Sequence, residues 1–376
     1  MELLRTLMQL QSERGCLTND TLRELSRQKR IPLYRLEGLA SYYPHFRRSE
    51  PKPIRIQVCR DVVCRMARDK SLRPGLEAAA KRNPDIVMED VSCIGCCDAA
   101  PAFMVNDSAV DRDALRQIAD EPDDISGHLA LCRTTSKRAT ESTASAHVRR
   151  RCDPASLPEV DTWKPVRDWI AACNDLPSET IQRLKASGLR GMGGAGFPTG
   201  RKWELVAAED RTPKFVICNA DESEPGTFKD RGILTELPYL VVQGMVLAGL
   251  TIGAEQGIVY LRHEYEDAHR TLETWITNAR RSGFLGDNVC GTGHAFDIEV
   301  FISPGGYILG EETALLEALE DKRGEPRNKP PYPGVRTGYG DNRHSSTTSK
   351  RSPWQLPSFT SGRNGGTIRV RESAPV

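Results

Sequence analysis

Leucines recur at three- and four-residue spacing through LLRTLMQLQSERG (3–15) and NDTLRELSRQKR (19–30), so the chain opens on two amphipathic helices. Asn19 or Asp20 stands where the second helix needs an N-cap, and a third short helix is expected over Leu33 to Tyr42. After a proline-marked break, PKPIRIQVC (51–59) and DIVMEDVSC (85–93) have the apolar, β-branched content of strands. RMARDKSLRPGLEAAAKR between them has helical composition, which makes a β-α-β unit. PAFMVNDSAV (101–110) reads as a hairpin strand closing a small α/β domain near residue 131.

RTTSKRATESTASAHVRRRCDPASL (133–157) is polar, rich in small residues and basic at its end, the composition of a linker, with Arg149, Arg150 and Arg151 read as a solvated charge run. Strands at KFVICNA (214–220), QGIVYLRHE (256–264) and FDIEVFISP (296–304) then alternate with helices over 236–252, 265–281 and 311–320. That alternation predicts a sheet layered with helices. Beyond Gly334 no apolar period of two or 3.6 residues survives, and the tail reads as disordered. The expected organisation is a helical segment 1–48, a small α/β domain 49–131, a linker 132–158, a larger α/β domain 159–334 and an irregular tail 335–376.

Composition narrows the function classes. A chain of 376 residues with 38% apolar content can build two or three cores. A net charge of +1 offers no electrostatic case for nucleic acid or an anionic membrane surface. No apolar run approaches the roughly 20 residues of a spanning helix, and no signal-peptide core follows MELLRTLMQLQSERG, so a cytoplasmic protein without direct membrane insertion is expected. Eleven cysteines are many for a reducing compartment and point to metal or redox chemistry before disulfides.

Cys59-x4-Cys64 and Cys93-x3-Cys97 each follow an expected strand, so the two pairs can meet at one end of a sheet. Four thiolates select zinc or an iron–sulfur cluster, and spacers longer than two residues favour [2Fe–2S] over structural zinc. Cys96 is an additional thiol able to compete with Cys97.

The stretch GLRGMGGAGFPTGRKWE (188–204) has five glycines between Gly188 and Gly196. It contains Gly191-x-Gly193-x-x-Gly196, yet a helical pattern ending at Gly188 precedes it, so it fails the strand-first context of a dinucleotide fingerprint. Without a Gly-Lys-Ser/Thr ending it is no P-loop either. What remains is a backbone able to converge its N–H groups on an anion, reinforced by Arg201 or Lys202. CNADESEPGTFKDR (218–231) brings Asn219, Asp221, Glu222 and Glu224 to a strand end, where carboxylates accept from ribose hydroxyls or an amide. SPGGYILGEETALLEALE (303–320) places Tyr307 after two glycines and opens a helix at Gly310, Glu311 and Glu312. KPPYPG (329–334) adds Lys329 and Tyr332 on a proline-stiffened loop.

These stretches together resemble the flavin-binding, 51-kDa-type subunits of complex I and of the diaphorases of NAD-dependent formate dehydrogenases and bidirectional hydrogenases, over about residues 160 to 334. Residues 1–131, through LEGLASYYPHF, Cys59, Cys64 and CIGCCDAAP, resemble the thioredoxin-like, 24-kDa-type [2Fe–2S] partner subunit. The resemblance implies a Rossmann-like FMN-binding domain and the transfer of hydride from NADH to FMN, then of single electrons to iron–sulfur clusters. It implies that Gly191, Gly193, Gly194, Asn219, Asp221, Glu222, Gly310, Glu311 and Glu312 line FMN, while Phe197, Lys202, Glu224, Lys329 and Tyr332 surround NAD(H), with Tyr307 also at the cofactor site. Phe197 is suited to stacking. No side-chain acid or nucleophile is required, Glu224 and Glu312 falling near the nicotinamide, and Cys59, Cys64, Cys93 and Cys97 would ligate the cluster. The partners implied are other subunits of an NADH-oxidising complex, including one carrying further clusters. Met192 in the glycine loop and the fusion of both subunits resemble the formate dehydrogenase and hydrogenase branch.

The family pattern continues past KPPYPG with a ubiquitin-like domain and a [4Fe–4S] site on four cysteines, whereas the last cysteine here is Cys290. We expect a truncation or frame change after about residue 335, and sequencing the locus tests it: a downstream frame encoding no such domain refutes it. Two other readings stay open, a non-catalytic [2Fe–2S] carrier and a zinc-stabilised interaction protein.

Overall fold

The computed structural model describes residues 1–67, 72–130 and 161–328; the expected linker and tail, with Lys329 and Tyr332, lie outside the described residues. Three helices come first: α1 (Glu2–Arg14), α2 (Asn19–Lys29) and α3 (Leu33–Tyr42). Thr18, rather than Asn19 or Asp20, caps α2, its Oγ1 accepting from the Thr21 amide at 3.2 Å. Asn19 and Asp20 already have helical backbone, which leaves the cap position to the residue before them.

A four-stranded sheet follows, with strands β1 (Ile54–Cys59), β2 (Ile86–Val91), β3 (Phe103–Val105) and β4 (Ser108–Ala109) in the order β2-β1-β3-β4. β1 and β2 are parallel in register from Ile54 opposite Ile86 to Cys59 opposite Val91, and β3 runs antiparallel to β1. The expected crossover helix is two helices, α4 (Val62–Met66) and α5 (Leu72–Arg82). With α6 (Arg112–Asp120), α5 covers a core of Ile54, Ile56, Leu76, Val105, Leu115 and Ile118. Parallel pairing is what puts both cysteine pairs at one end of this sheet.

The second sheet is three parallel strands in sequence order, β5 (Lys214–Ala220), β6 (Ala254–Arg262) and β7 (Asp297–Ser303). Its helices are α7 (Lys164–Ala172), α8 (Leu176–Ala186), α9 (Thr199–Ala207), α10 (Lys229–Glu236), α11 (Pro238–Ile252), α12 (Glu266–Arg281) and α13 (Glu312–Leu319). The glycine-rich stretch follows α8 and not a strand, and Gly188 ends that helix at φ +66, as its sequence context indicates. Val216, Val259, Leu261 and Ile298 face Val242, Met245, Val246, Leu272 and Ile276 of α11 and α12. On the other face Phe215, Ile217, Ile258, Tyr260 and Phe301 meet Leu4, Leu7, Leu22, Leu36 and Leu39 of α1–α3, with Leu315 and Leu319 of α13. The amino-terminal helices are therefore not a free-standing segment. They are the second helical layer of the second sheet, because parallel strands apolar on both faces require cover on both. Among the described residues no single helix is long and apolar enough to cross a membrane, and α11, the most apolar, is buried in the core.

Candidate functional site

Cys59 is the last residue of β1, Cys64 sits in α4, and Cys93 and Cys97 lie in the loop after β2; all four are buried. The sulfurs of Cys93 and Cys97 are 3.3 Å apart. Three backbone amides point at this group: Gly95 to Cys93 Sγ at 3.4 Å, Ala102 to Cys64 Sγ at 3.3 Å and Gly226 to Cys97 Sγ at 3.2 Å. Hydrogen bonds from Cys59 and Cys97 pull the Cys93 thiol far down, and one from Cys59 lowers Cys64 to about 7. The same bonds, with burial, push Cys59 and Cys97 up. Four buried sulfurs gathered at one sheet end, three of them met by backbone N–H groups, fit an iron–sulfur cluster's need for soft ligands and hydrogen bonds to sulfur. Cys96 is turned elsewhere: its sulfur accepts from the Arg231 guanidinium at 3.4 Å. Cys97 completes the group.

The carboxylates come together at the ends of β5 and β7. Asp221 is buried and accepts from the Ser303 hydroxyl at 3.0 Å and from the Ser223 hydroxyl; burial raises its pKa above the ordinary value. Asn219 donates to the Gly310 carbonyl at 2.8 Å, tying β5 to the turn before α13. A Cβ on Gly310 would lie 3.1 Å from the Asp221 carbonyl, so a side chain there would press this strand end apart. Glu224 accepts from the Tyr307 hydroxyl at 2.5 Å, and Lys202 approaches Glu312 at 3.8 Å. Two of the expected residues act as helix caps: Glu222 accepts from the Asp230 and Arg231 amides at 3.1 Å, and Glu311 from Thr313 at 2.7 Å and Ala314 at 2.9 Å. Their carboxylates hold α10 and α13 in place.

The glycine loop is closed at its neck, where the Gly191 amide meets the Phe197 carbonyl and the Thr199 amide the Leu189 carbonyl, both at 2.9 Å. Above the neck, a Cβ added to Gly193, Gly194 or Gly196 would meet nothing within 4 Å. Gly194 (φ +103) and Gly196 (φ +59) adopt backbone that favours glycine. Within the loop the apolar side chains of Met192 and Phe197 are exposed, as are Tyr307 and Ile308 in the turn before α13. An open glycine loop leading into α9, whose first turn carries Lys202, fits a phosphate-bearing aromatic ligand.

Sequence reading missed the residues that join the two halves. Arg231 pairs with Asp98 at 2.5 Å, and Arg262 donates to the Cys93 carbonyl at 2.7 Å and to the Glu222 carbonyl at 2.5 Å. A Cβ on Gly95 would strike the Tyr265 ring at 2.5 Å. The one available signal was charge at the end of an otherwise apolar strand, in YLRHE.

A four-thiol group on one α/β sheet is thus docked on a second sheet whose strand ends and glycine loop suit a phosphate-bearing aromatic cofactor, the arrangement of a fused two-domain protein with a candidate metal-cluster site and a candidate cofactor site. Residues 1–121 match the family model of the thioredoxin-like [2Fe-2S] ferredoxin and residues 184–342 that of the Nuo51 FMN-binding domain, so the chain carries these two domains in that order. It is 35% identical over 354 residues to the NAD-reducing hydrogenase HoxS subunit alpha of Cupriavidus necator, covering 90% of this chain and 58% of that one. It is 50% identical over 164 residues to an NADH-quinone oxidoreductase subunit of Aquifex aeolicus, covering 43% of this chain and 38% of that one. Among solved structures, the air-oxidized NAD+-reducing [NiFe]-hydrogenase aligns with a TM-score of 0.67 at 29% identity, covering 93% of this chain and 58% of that one. The chain thus spans between 38% and 58% of the length of these relatives, which by name are parts of larger enzymes.

Proposed function

We propose that this chain is an NADH-oxidising module that passes electrons from NADH through FMN to a [2Fe–2S] cluster. One observation carries this reading: the loop bearing Asp221, Glu222 and Glu224 also supplies the Gly226 amide to Cys97 Sγ at 3.2 Å, so the two candidate redox sites share a wall. When bound, FMN supplies two-electron acceptance from NADH and one-electron release, and the cluster supplies one-electron acceptance.

The chain's own residues supply alignment and electrostatics. In this reading the amides of Gly193 and Gly194 face the flavin phosphate, Gly191 closes the neck beneath them through its amide on the Phe197 carbonyl, and Lys202 borders the nicotinamide nucleotide. Asn219, Asp221 and Gly310 shape the floor, and Glu222 and Glu311 fix the helices that bound it. Phe197 stacks on the nicotinamide nucleotide, and Glu224, Glu312 and Tyr307 line its approach. Lys329 and Tyr332, outside the described residues, are proposed to complete the nucleotide side. Cys59, Cys64, Cys93 and Cys97 hold the cluster. The proposed partners are other subunits of an NADH-oxidising complex, one carrying further clusters, in the cytoplasm, where thiols stay reduced. The proposed domains are 49–131 and 159–334, with the helices of 1–48 packed on the second.

The test is the visible spectrum and metal content of anaerobically purified protein, before and after NADH. Flavin and iron–sulfur bands that bleach with NADH, both iron and acid-labile sulfide lost in Cys59→Ala, are the expected result. An NADH-unresponsive cluster without flavin would leave only an electron carrier, and zinc without iron would overturn the reading.

A further inference from the structure

Arg262 is the deepest charged contact between the two domains. It stands at the end of β6, 4% exposed, and no substrate-side role requires it. One guanidinium nitrogen donates to the carbonyl of Cys93 at 2.7 Å, and another to the carbonyl of Glu222 at 2.5 Å. The remaining hydrogen-bonding capacity goes to Glu264, at 2.9 Å and 2.6 Å, and the guanidinium also lies 5.3 Å from the centre of the Tyr265 ring. Tyr265 in turn donates to the Glu222 carboxylate at 3.1 Å. A single buried cation thus fastens a backbone carbonyl of the cluster loop to one of the flavin-side loop. Its counter-charge, Glu264, belongs to the same strand end and touches neither carbonyl through the bonds described.

We propose that Arg262 is a positioning residue for electron exchange, holding the Cys93 loop against the 222–231 loop and raising the reduction potential of the cluster through its buried positive charge. The proposal rests on the [2Fe–2S] reading above. The physics is elementary: reduction adds negative charge to the centre, and a desolvated positive charge bonded to the ligand loop stabilises that added charge more than a solvated one would. The carboxylate of Glu264 opposes it. Removing either partner therefore moves the potential in opposite directions, whereas a purely architectural contact moves neither or both alike.

The experiment is potentiometric EPR of the [2Fe–2S] signal in the full chain for wild type, Arg262→Met, Arg262→Lys and Glu264→Gln, with hydrogen exchange at the 222–231 amides. At a fixed potential, Arg262→Met is expected to raise the oxidised-to-reduced ratio at least tenfold, about 59 mV downward for a one-electron couple. Glu264→Gln shifts the ratio the other way, and Arg262→Lys falls between wild type and Arg262→Met. Exchange at Gly226 and Asp230 rises at least tenfold in Arg262→Met. Should Arg262→Met fail to fold, Arg262→Lys and Glu264→Gln still give the two signs. A wild-type cluster whose potential is the same in every variant, or that shifts in one direction in all of them, overturns the role of Arg262 alone. Wild-type protein with no [2Fe–2S] signal defeats the underlying reading instead.

Discussion

Replacing Leu36 by alanine perturbs a residue in α3, more than 170 positions before the first strand of the sheet it packs on, as Leu36 and Phe215 share one core. Leu36 is fully buried there with Ile217, Ile258, Tyr260 and Phe301, and the Tyr260 and Phe301 rings stack at 5.4 Å. Truncating a buried leucine in a packed core costs about 2–5 kcal/mol. With a urea dependence of about 2 kcal/mol per molar, the unfolding midpoint falls by about 1–2.5 M. The assay separates this from local helix loss, because four of the five tryptophans, Trp163, Trp169, Trp203 and Trp275, belong to the second domain, and the fifth, Trp354, is replaced by phenylalanine in both proteins compared. If α1–α3 are a layer of that domain, the tryptophan-reported midpoint drops with the far-UV circular dichroism midpoint and the slope is unchanged. A tryptophan transition that stays put while helicity melts early would refute the shared core.

Two further outcomes are expected. Gly193 has open space above it and lies outside the positive-φ glycines, so Gly193→Val should change stability by no more than about 0.5 kcal/mol. Yet it should abolish flavin retention in the purified protein, and full flavin content in that variant would remove the glycine loop from the cofactor site. His45 is held at about 4, below its ordinary 6.5, by burial and then by His263, 4.6 Å away ring to ring, with Arg47 opposing and Asp107 and Glu264 favouring its charge. The folded chain therefore binds this proton less readily than the unfolded one, so the associated stability is full above pH 6.5 and is lost as pH falls toward 4. His45→Gln should flatten the urea midpoint across that window; an unchanged slope would assign the acid sensitivity to other groups.

Much of the molecule was legible in the chain. KFVICNA maps onto β5 residue for residue, QGIVYLRHE and FDIEVFISP onto β6 and β7 within two residues, and the cysteine pairs lie at the strand ends that their order implied. The helix expected over 236–252 begins at Pro238, because α10 ends at Glu236 and Leu237, before the proline, separates the two helices. Local signals suffice for such features: periodicity, caps and breakers act within a few residues, and the candidate site residues are clustered in short motifs.

What the chain order by itself determined was which segments form strands and helices, which thiols are paired and which glycines and carboxylates stand together. Only the tertiary structure decided that α1–α3 cover the second sheet, that Glu222 and Glu311 are spent on capping, that Cys97 and not Cys96 joins the thiol group, and that Arg262 and Gly226 link the two domains. The reason is physical. A strand apolar on both faces announces that it needs two covering layers but not which helices supply them, and a carboxylate or guanidinium carries the same charge in sequence whether it meets solvent, a helix end or a carbonyl 169 residues away, as Arg262 does at Cys93. Burial and partner choice are properties of packing over long separations, and no local pattern encodes them.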